Sequence, residues 1–202
     1  PDAARELLAE IARRHSAPVR YLVHSHFHAE SVGGGSAFPS TALVIASGRT
    51  QATLSDPTAE IGAEMKARAP DPAAWTEPER RLATLLVRGS TMLDDPVHPV
   101  EFLVLGRQTH SPGDVMLKMA HVELYHVGGL LFTDRNPYAA DANVGYWLGA
   151  LNHLISDRPK FVVGLRGPSL QRTELIPQRE VLAWVRGQVA EGFVKMLSLD
   201  AI

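Results

Sequence analysis

The sequence predicts one domain of the α/β class, in which strands and helices alternate and pack in layers. Two patterns predict this class: short runs rich in valine and leucine that end at glycine or proline turns, and longer segments with apolar residues at every third or fourth position. Their alternation along the chain is typical of layered α/β folds. The length of 202 residues suffices for one domain with a sizeable core.

The N-terminal part of the chain predicts one helix and two strands. Residues 3–14 place apolar side chains at helical spacing, between charged residues. The apolar run Pro18–Val23 predicts a short buried strand, and Thr41–Ala46 predicts a second one. Between them, the glycines at 33–35 permit a tight turn.

Residues 50–90 have a more polar and helical composition. We predict helices at Asp56–Arg68 and Glu77–Leu86, separated by a proline-containing loop, because each begins close to a proline that favours a helix start. Two interpretations are open. This region is either a helical insertion or lid over a site, or simply two helices on the protein surface.

The second half of the chain returns to strands and ends in a long helix. Apolar runs predict strands at Glu101–Leu105, Val115–Met119, His121–His126, Leu130–Phe132 and Phe161–Leu165. Helical periodicity predicts helices at Val144–Ile155 and at residues 177–198.

The composition narrows the classes of partner. The net charge of −2 gives no basic field that would attract nucleic acid or anionic lipid, and no apolar run reaches the ~18 residues of a membrane-spanning helix. We therefore expect no nucleic-acid or membrane partner. The chain has no cysteine, which excludes disulfides, thiolate nucleophiles and thiolate metal ligands. This composition suits the periplasm and the cytoplasm equally.

Three histidines follow the first predicted strand at alternate positions, His24, His26 and His28. Side chains at alternate positions of an extended chain lie on the same side, so two of these imidazoles can chelate one metal ion. The alternative is a histidine-rich surface loop without a ligand. The triplet alone leaves both interpretations open.

Several segments together resemble one family. The stretch His24-Ser-His26-Phe-His28-Ala-Glu-Ser-Val-Gly-Gly resembles the His-x-His-x-Asp-His…Gly signature of metallo-β-lactamase-fold hydrolases, and Thr109-His110-Ser-Pro-Gly-Asp114 resembles the next histidine turn of that family. The segment from Asn136 to Leu151 is most similar to the subgroup called quinoprotein relay system zinc metallohydrolases. The resemblance implies an αββα four-layer sandwich of metallo-β-lactamase type that spans residues 1–202.

The resemblance also implies the positions of metal ligands. One metal ion of the family is held by three histidines, which correspond here to His24, His26 and His110. The ligands of the second metal ion correspond to His28, Ala29, Gly129 and Arg166. None of these four positions keeps the family's ligand, so we expect a single metal ion, zinc, with iron or copper as alternatives.

Two further residues are candidates for catalytic roles. His28 replaces the family's aspartate and is either a general base or a fourth ligand that closes the site. Arg166 either binds a substrate carboxylate or phosphate, or forms a salt bridge where the second metal ion is lost. Glu30 is an additional candidate, because the loop before Gly33 is two residues longer than the family pattern.

These inferences support two functions of different classes. The first is a metal-dependent hydrolase of a small-molecule ester, lactone, amide or thioester. The alternative is a catalytically degenerate subunit that acts in binding or assembly with a partner chain. In the resembling family, further strands precede the helix at which this chain begins. We therefore expect an N-terminal fragment of the same precursor to complete the sheet. Alternatively, the segment is deleted and a second protomer completes the sheet.

Overall fold

The computed structural model describes residues 2–133, 135–165, 167–169 and 171–198. Its α-helices are α1 (Asp2–Arg14), α2 (Ala29–Val32), α3 (Gly48–Ser55), α4 (Ala63–Ala67), α5 (Val144–Asp157) and α6 (Leu175–Val194). Its strands are β1 (Tyr21–His24), β2 (Leu43–Ser47), β3 (Leu85–Val87), β4 (Thr91–Leu93), β5 (Val100–Val104), β6 (Val115–Met119), β7 (Leu124–Gly128) and β8 (Phe161–Gly164). Across these described ranges, no helix has both the length and the apolar character that a bilayer crossing requires.

The strands form two sheets that pack face to face. The first sheet has the order β1-β2-β3 with all strands parallel, and the second has the order β4-β5-β6-β7-β8, antiparallel except for the β7–β8 pair. Ile45 and Val87 of the first sheet pack against Phe102 and Val115 of the second. This apolar contact holds the two sheets together.

Helices cover the outer faces of the two sheets. Met116 follows Val115 in β6 and therefore points to the opposite face, where it joins a cluster with Trp147 and Leu151 of α5 and Leu182 of α6. On the other side, α3 packs on β2 and β3. The layers of helix, sheet, sheet and helix confirm the predicted αββα sandwich.

The predictions that rest on local periodicity are confirmed. The terminal helices, helix α5 and strands β1, β2, β5, β6, β7 and β8 all occur close to their predicted positions. By contrast, the strand predicted at Leu130–Phe132 is wrong. Side chains satisfy this backbone instead, because Trp147 Nε1 and Gln178 Nε2 donate to the Leu130 carbonyl and Phe132 N–H donates to Gln178 Oε1.

The two helices predicted between residues 50 and 90 are also wrong. Only Ala63–Ala67 is helical within the predicted Asp56–Arg68, and the preceding helix α3 ends where that prediction began. The segment predicted as Glu77–Leu86 contains no helix and ends in β3. Its conformation is set by distant partners, since the Arg81 guanidinium donates to four backbone carbonyls between residues 35 and 42.

Candidate metal centre

Three imidazoles and one carboxylate converge at the end of β1. His26, His28, Glu30 and His110 each place one ligand atom within 4.8 Å of the others. His28 Nδ1 lies 3.0 Å from His110 Nε2, and Glu30 Oε1 lies 3.7 Å from His26 Nε2 and 3.9 Å from His28 Nδ1. All three histidines are buried.

The loop after β1 and the helical turn that follows it carry three of these four residues. The start of the loop is pinned to the second sheet, because Val115 N–H donates to the Ser25 carbonyl at 2.8 Å. Its end is pinned to the loop before α4, because Ala29 N–H donates to the Ile61 carbonyl at 2.7 Å. Helix α2 begins directly afterwards and its first turn contains Glu30. The loop is thus held at both ends, and its histidines point into the molecule.

The fourth residue, His110, is carried by a turn that is built around a buried carboxylate. Asp114 accepts hydrogen bonds from Ser111 N–H at 2.9 Å, from Ser111 Oγ at 2.7 Å and from the Thr109 hydroxyl. Gly113 has a positive φ of 90°, and its carbonyl accepts a hydrogen bond from Ser47 Oγ at 2.6 Å. These contacts fix the turn against the start of α3 and so position His110.

The outer nitrogen of each imidazole has its own partner. His110 Nδ1 lies 3.1 Å from the Tyr138 carbonyl, His28 Nε2 lies 2.9 Å from Asp141 Oδ2, and His26 Nδ1 lies 3.0 Å from Ser25 Oγ. A carbonyl and a carboxylate only accept hydrogen bonds, so they assign the protons of His110 and His28 to these outer nitrogens. The inner nitrogens of His28 and His110 therefore carry lone pairs, as those of metal-ligating imidazoles do.

The lone pairs on His28 and His110 face each other. His28 Nδ1 and His110 Nε2 are 3.0 Å apart, and neither has a proton to share in this assignment. The inner nitrogen of His26 is buried and has no hydrogen-bond partner in the described part of the chain. A cation among the three nitrogens would satisfy these acceptors, which are costly to bury without donors.

Burial sets the charges of the cluster. Burial lowers the pKa of His28 and holds the pKa of His110 well below its usual range, and the neighbouring His26 adds to both effects. For Glu30, burial alone would raise the pKa, but His26 and His28 outweigh it, so that the pKa is lowered. Neutral imidazoles beside a carboxylate form a donor set that suits zinc. The residues present therefore fit a metal ion.

Gly129 lies directly against the cluster. A Cβ atom at this position would be 2.3 Å from His110 Cδ2, 2.7 Å from His110 Nε2 and 3.0 Å from His26 Cε1. Only glycine fits there without moving an imidazole. The next residue, Leu130, is fully buried in the apolar cluster beneath α5. In the described residues, the four-membered group above is the one cluster of three or more side chains that could hold a metal ion.

The structure brings together His26 and His110 from the predicted ligand set and adds His28 and Glu30. It places His24 outside this cluster: His24 Nε2 donates to the Arg81 carbonyl at 2.8 Å, and burial lowers the pKa of this imidazole. Ala29 lies in an apolar cluster with Phe27 and has no ligand atom to offer.

The sequence contained a signal for this arrangement. The two-residue excess between His24 and the glycine turn allows the motif to begin at His26, with Glu30 in the acidic position. Arg166, which we predicted at the rim of the site, lies outside the described residues.

Comparisons with solved structures identify the fold. No protein-family model and no curated protein matches the chain. A metallo-β-lactamase from Pontibacter korlensis is similar over 88% of this chain and 75% of its own, with 20% identity and a TM-score of 0.64. A metallo-β-lactamase from Hirschia baltica is similar over 88% of this chain and 74% of its own, with 17% identity and a TM-score of 0.64.

A third similar structure belongs to a larger protein. A double mutant of the sec-alkyl sulfatase PisA1 is similar over 98% of this chain, with 16% identity and a TM-score of 0.74. This chain covers 38% of that protein. At these identities the likeness concerns the fold.

Proposed function

We propose, from the metallo-β-lactamase fold of this chain, that it is a metal-dependent hydrolase with one ion held by His26 Nε2, His28 Nδ1 and His110 Nε2. The observation that carries the proposal is the 3.0 Å distance between His28 Nδ1 and His110 Nε2, in two rings whose far nitrogens each face an acceptor. His28 takes the place in the ligand set that we first gave to His24.

A zinc ion with three imidazole ligands supplies Lewis acidity and lowers the pKa of a water molecule toward about 7. The chain itself contributes a proton acceptor. Glu30 remains a carboxylate because His26 and His28 lower its pKa, and its Oε1 lies within 4 Å of both inner nitrogens. In this proposal Glu30 accepts the proton of the attacking water, and Asp141 holds the His28 ring in place through Nε2.

The substrates in this proposal are small molecules with a hydrolysable ester, lactone, amide or thioester bond. The likeness to a sec-alkyl sulfatase adds sulfate esters to these candidates. A panel of chromogenic esters, thioesters, lactones, β-lactams and alkyl sulfates tests the class, with the zinc-, iron- and copper-loaded protein compared in parallel.

The metal site is tested without reference to activity. We expect the metal-free protein to bind one zinc ion per chain in calorimetric titration, with the stoichiometry checked by elemental analysis. His110→Ala and His28→Ala should abolish this binding, whereas the exposed His15→Ala serves as a matched control and should bind zinc like the wild type. Circular dichroism verifies that each variant folds. Wild-type zinc binding by folded His110→Ala would overturn the proposal.

A further variant separates the two ligand sets. Because the His24 imidazole donates to the Arg81 carbonyl, His24→Ala should lower stability but leave the zinc stoichiometry at one ion per chain. If His24→Ala loses the ion and His28→Ala retains it, the ligand set is His24, His26 and His110 instead.

The second candidate function is assembly, and an exposed apolar side of α6 favours it. Leu175 and Leu182 are buried, yet Val189, which lies seven residues further on the same side of the helix, is exposed. Val185 and Phe193, four residues before and after Val189 on the same side, are 40% and 82% exposed. The Phe193 ring alone exposes roughly 160 Å², about a fifth of the roughly 800 Å² that each partner contributes to a standard interface.

We propose that a second copy of the chain covers this side of α6. Phe193→Glu should convert a dimer into a monomer in sedimentation experiments and leave zinc binding unchanged. Val97→Glu is the matched control, because Val97 is also exposed but lies far from α6 in the sequence. A wild-type chain that is monomeric at all accessible concentrations would contradict this candidate.

A further inference from the structure

A cavity of about 280 Å³ adjoins the metal centre. Glu30 belongs both to the histidine cluster and to the cavity wall. Phe132 also lines the cavity, and its ring lies 5.4 Å from the ring of His110. A molecule in this cavity would therefore contact the side of the cluster that carries the carboxylate. This position makes the cavity the candidate substrate site.

The cavity combines apolar walls with two guanidinium groups. Met65, Leu131 and Leu165 supply apolar surface, while Arg68 and Arg135 supply positive charge. Arginine stays protonated and presents several N–H donors in one plane, which suits carboxylate, sulfate and phosphate groups. Walls of this kind fit a ligand that has both an anionic group and a short apolar part.

One of the arginines is oriented by a carboxylate. Arg68 forms an ion pair with Glu64 at 3.0 Å, in which the Glu64 side chain is 12% exposed and the Arg68 side chain is 52% exposed. Glu64 thus holds the Arg68 side chain at the cavity, and the exposed part of the guanidinium keeps further donors for a ligand.

The charges of the cavity favour an anion once the cluster holds a divalent ion. The two carboxylates, Glu30 and Glu64, balance the two arginines. A divalent cation at the adjoining histidines outweighs the Asp141 carboxylate that is bonded to His28, so a net positive charge remains beside the cavity. In a partly buried site, this charge attracts anions and repels cations.

We propose that the substrate is an organic anion with a short apolar chain, whose anionic group is bound by Arg68 and Arg135. This inference rests on the proposed hydrolase function, because it concerns the substrate of that same centre. A cavity of about 280 Å³ is at the small end of the range for ligand sites. The size thus favours molecules such as a six-carbon carboxylate over long-chain lipids.

Binding is measured first, without any reaction. Hexanoate is titrated into the zinc-loaded protein, and hexanol serves as the uncharged probe of equal chain length. We expect hexanoate to bind at least tenfold more tightly than hexanol, and Arg68→Gln and Arg135→Gln each to weaken hexanoate about tenfold. Arg88→Gln is the control, because Arg88 is exposed and does not line the cavity.

Kinetics provide the second measurement. For an ester that carries a carboxylate, each cavity variant should raise KM about tenfold with little change in kcat, whereas KM for an uncharged ester of the same length should stay constant. The outcomes for the two proposals are distinguishable. Hexanoate binding that depends on both arginines, without hydrolysis of any substrate, would refute the hydrolase. Hydrolysis with equal KM values in all variants would overturn the anion site.

Discussion

Replacement of Gly129 by alanine tests the metal centre with a single methyl group. The substitution adds no charge and removes no ligand. The φ angle of Gly129 is outside the left-handed region, so the backbone conformation itself accepts alanine. The effect is steric: the new Cβ would lie 2.3 Å from His110 Cδ2, where ordinary van der Waals contact begins at 3.4 Å.

The size of the effect follows from this overlap. The His110 ring must move by about 1 Å to relieve it, whereas metal–ligand distances tolerate about 0.2 Å. We therefore expect the zinc dissociation constant to rise at least about 100-fold, the upper end of the range for a lost outer partner of a ligand. Overpacking should in addition lower the stability of the metal-free protein by about 1–3 kcal/mol.

Calorimetric titration measures the zinc affinity, and thermal unfolding with and without zinc measures how far zinc stabilises the fold. Zinc at 100 times its dissociation constant should stabilise the wild type by about 2.7 kcal/mol and the variant by far less. The matched control is Gly149→Ala, because a Cβ at this exposed position of α5 meets no atom within 4 Å. It should bind zinc normally and gain about 0.5–1 kcal/mol of helix stability. Folded Gly129→Ala with wild-type zinc affinity would refute the reasoning.

Three further predictions concern the residues around the cluster. Asp141→Asn weakens the hydrogen bond that orients the His28 ring, so it should raise the zinc dissociation constant about 10- to 100-fold in the same titration. An unchanged zinc affinity would contradict this prediction. Asp114→Ala removes the acceptor of the buried turn and should lower the free energy of unfolding by about 3 kcal/mol or more, measured from the urea midpoint. A loss below about 1 kcal/mol would contradict this prediction. Burial lowers the pKa of four histidines, which are His24, His28, His110 and His126. The unfolded chain then binds more protons below its pKa of about 6.5, so the metal-free protein should lose stability as the pH falls from about 6.5, by up to about 1.4 kcal/mol per pH unit for each histidine. Urea midpoints that stay constant between pH 7.5 and pH 5.5 would show that these imidazoles are not buried as neutral groups.

Local periodicity predicted those parts of the fold that are stabilised by their own pattern. Helix α5 buries Trp147, Leu151 and Leu154 at helical spacing, and the alternation in β6 sends Val115 and Met116 to opposite faces. The segment from residue 77 to 86 has helix-forming residues, but its conformation is set by the bonds of Arg81 to a loop some 40 residues earlier. Such distant contacts leave no periodic trace in the sequence.

The sequence also predicted clustered histidines in this loop, but not which of them lie together in the structure. Histidines at alternate positions offer two pairs with the same spacing, His24 with His26 and His26 with His28. The choice between the pairs depends on where β1 ends. His24 is the last residue paired with β2, and its imidazole is taken up by the carbonyl of Arg81. The loop that turns side chains toward His110 therefore begins one residue later, a boundary that propensities do not resolve.

In the metal site that we propose, the charge balance favours one ion over two. A single divalent cation beside three neutral imidazoles is balanced by Glu30 and by Asp141, which is bonded to the His28 ring. A second divalent cation would leave two uncompensated positive charges, because the described cluster contains no further carboxylate. Buried charge without compensation is costly, so the second ion would require acidic ligands that Gly129 and the apolar Leu130 do not supply.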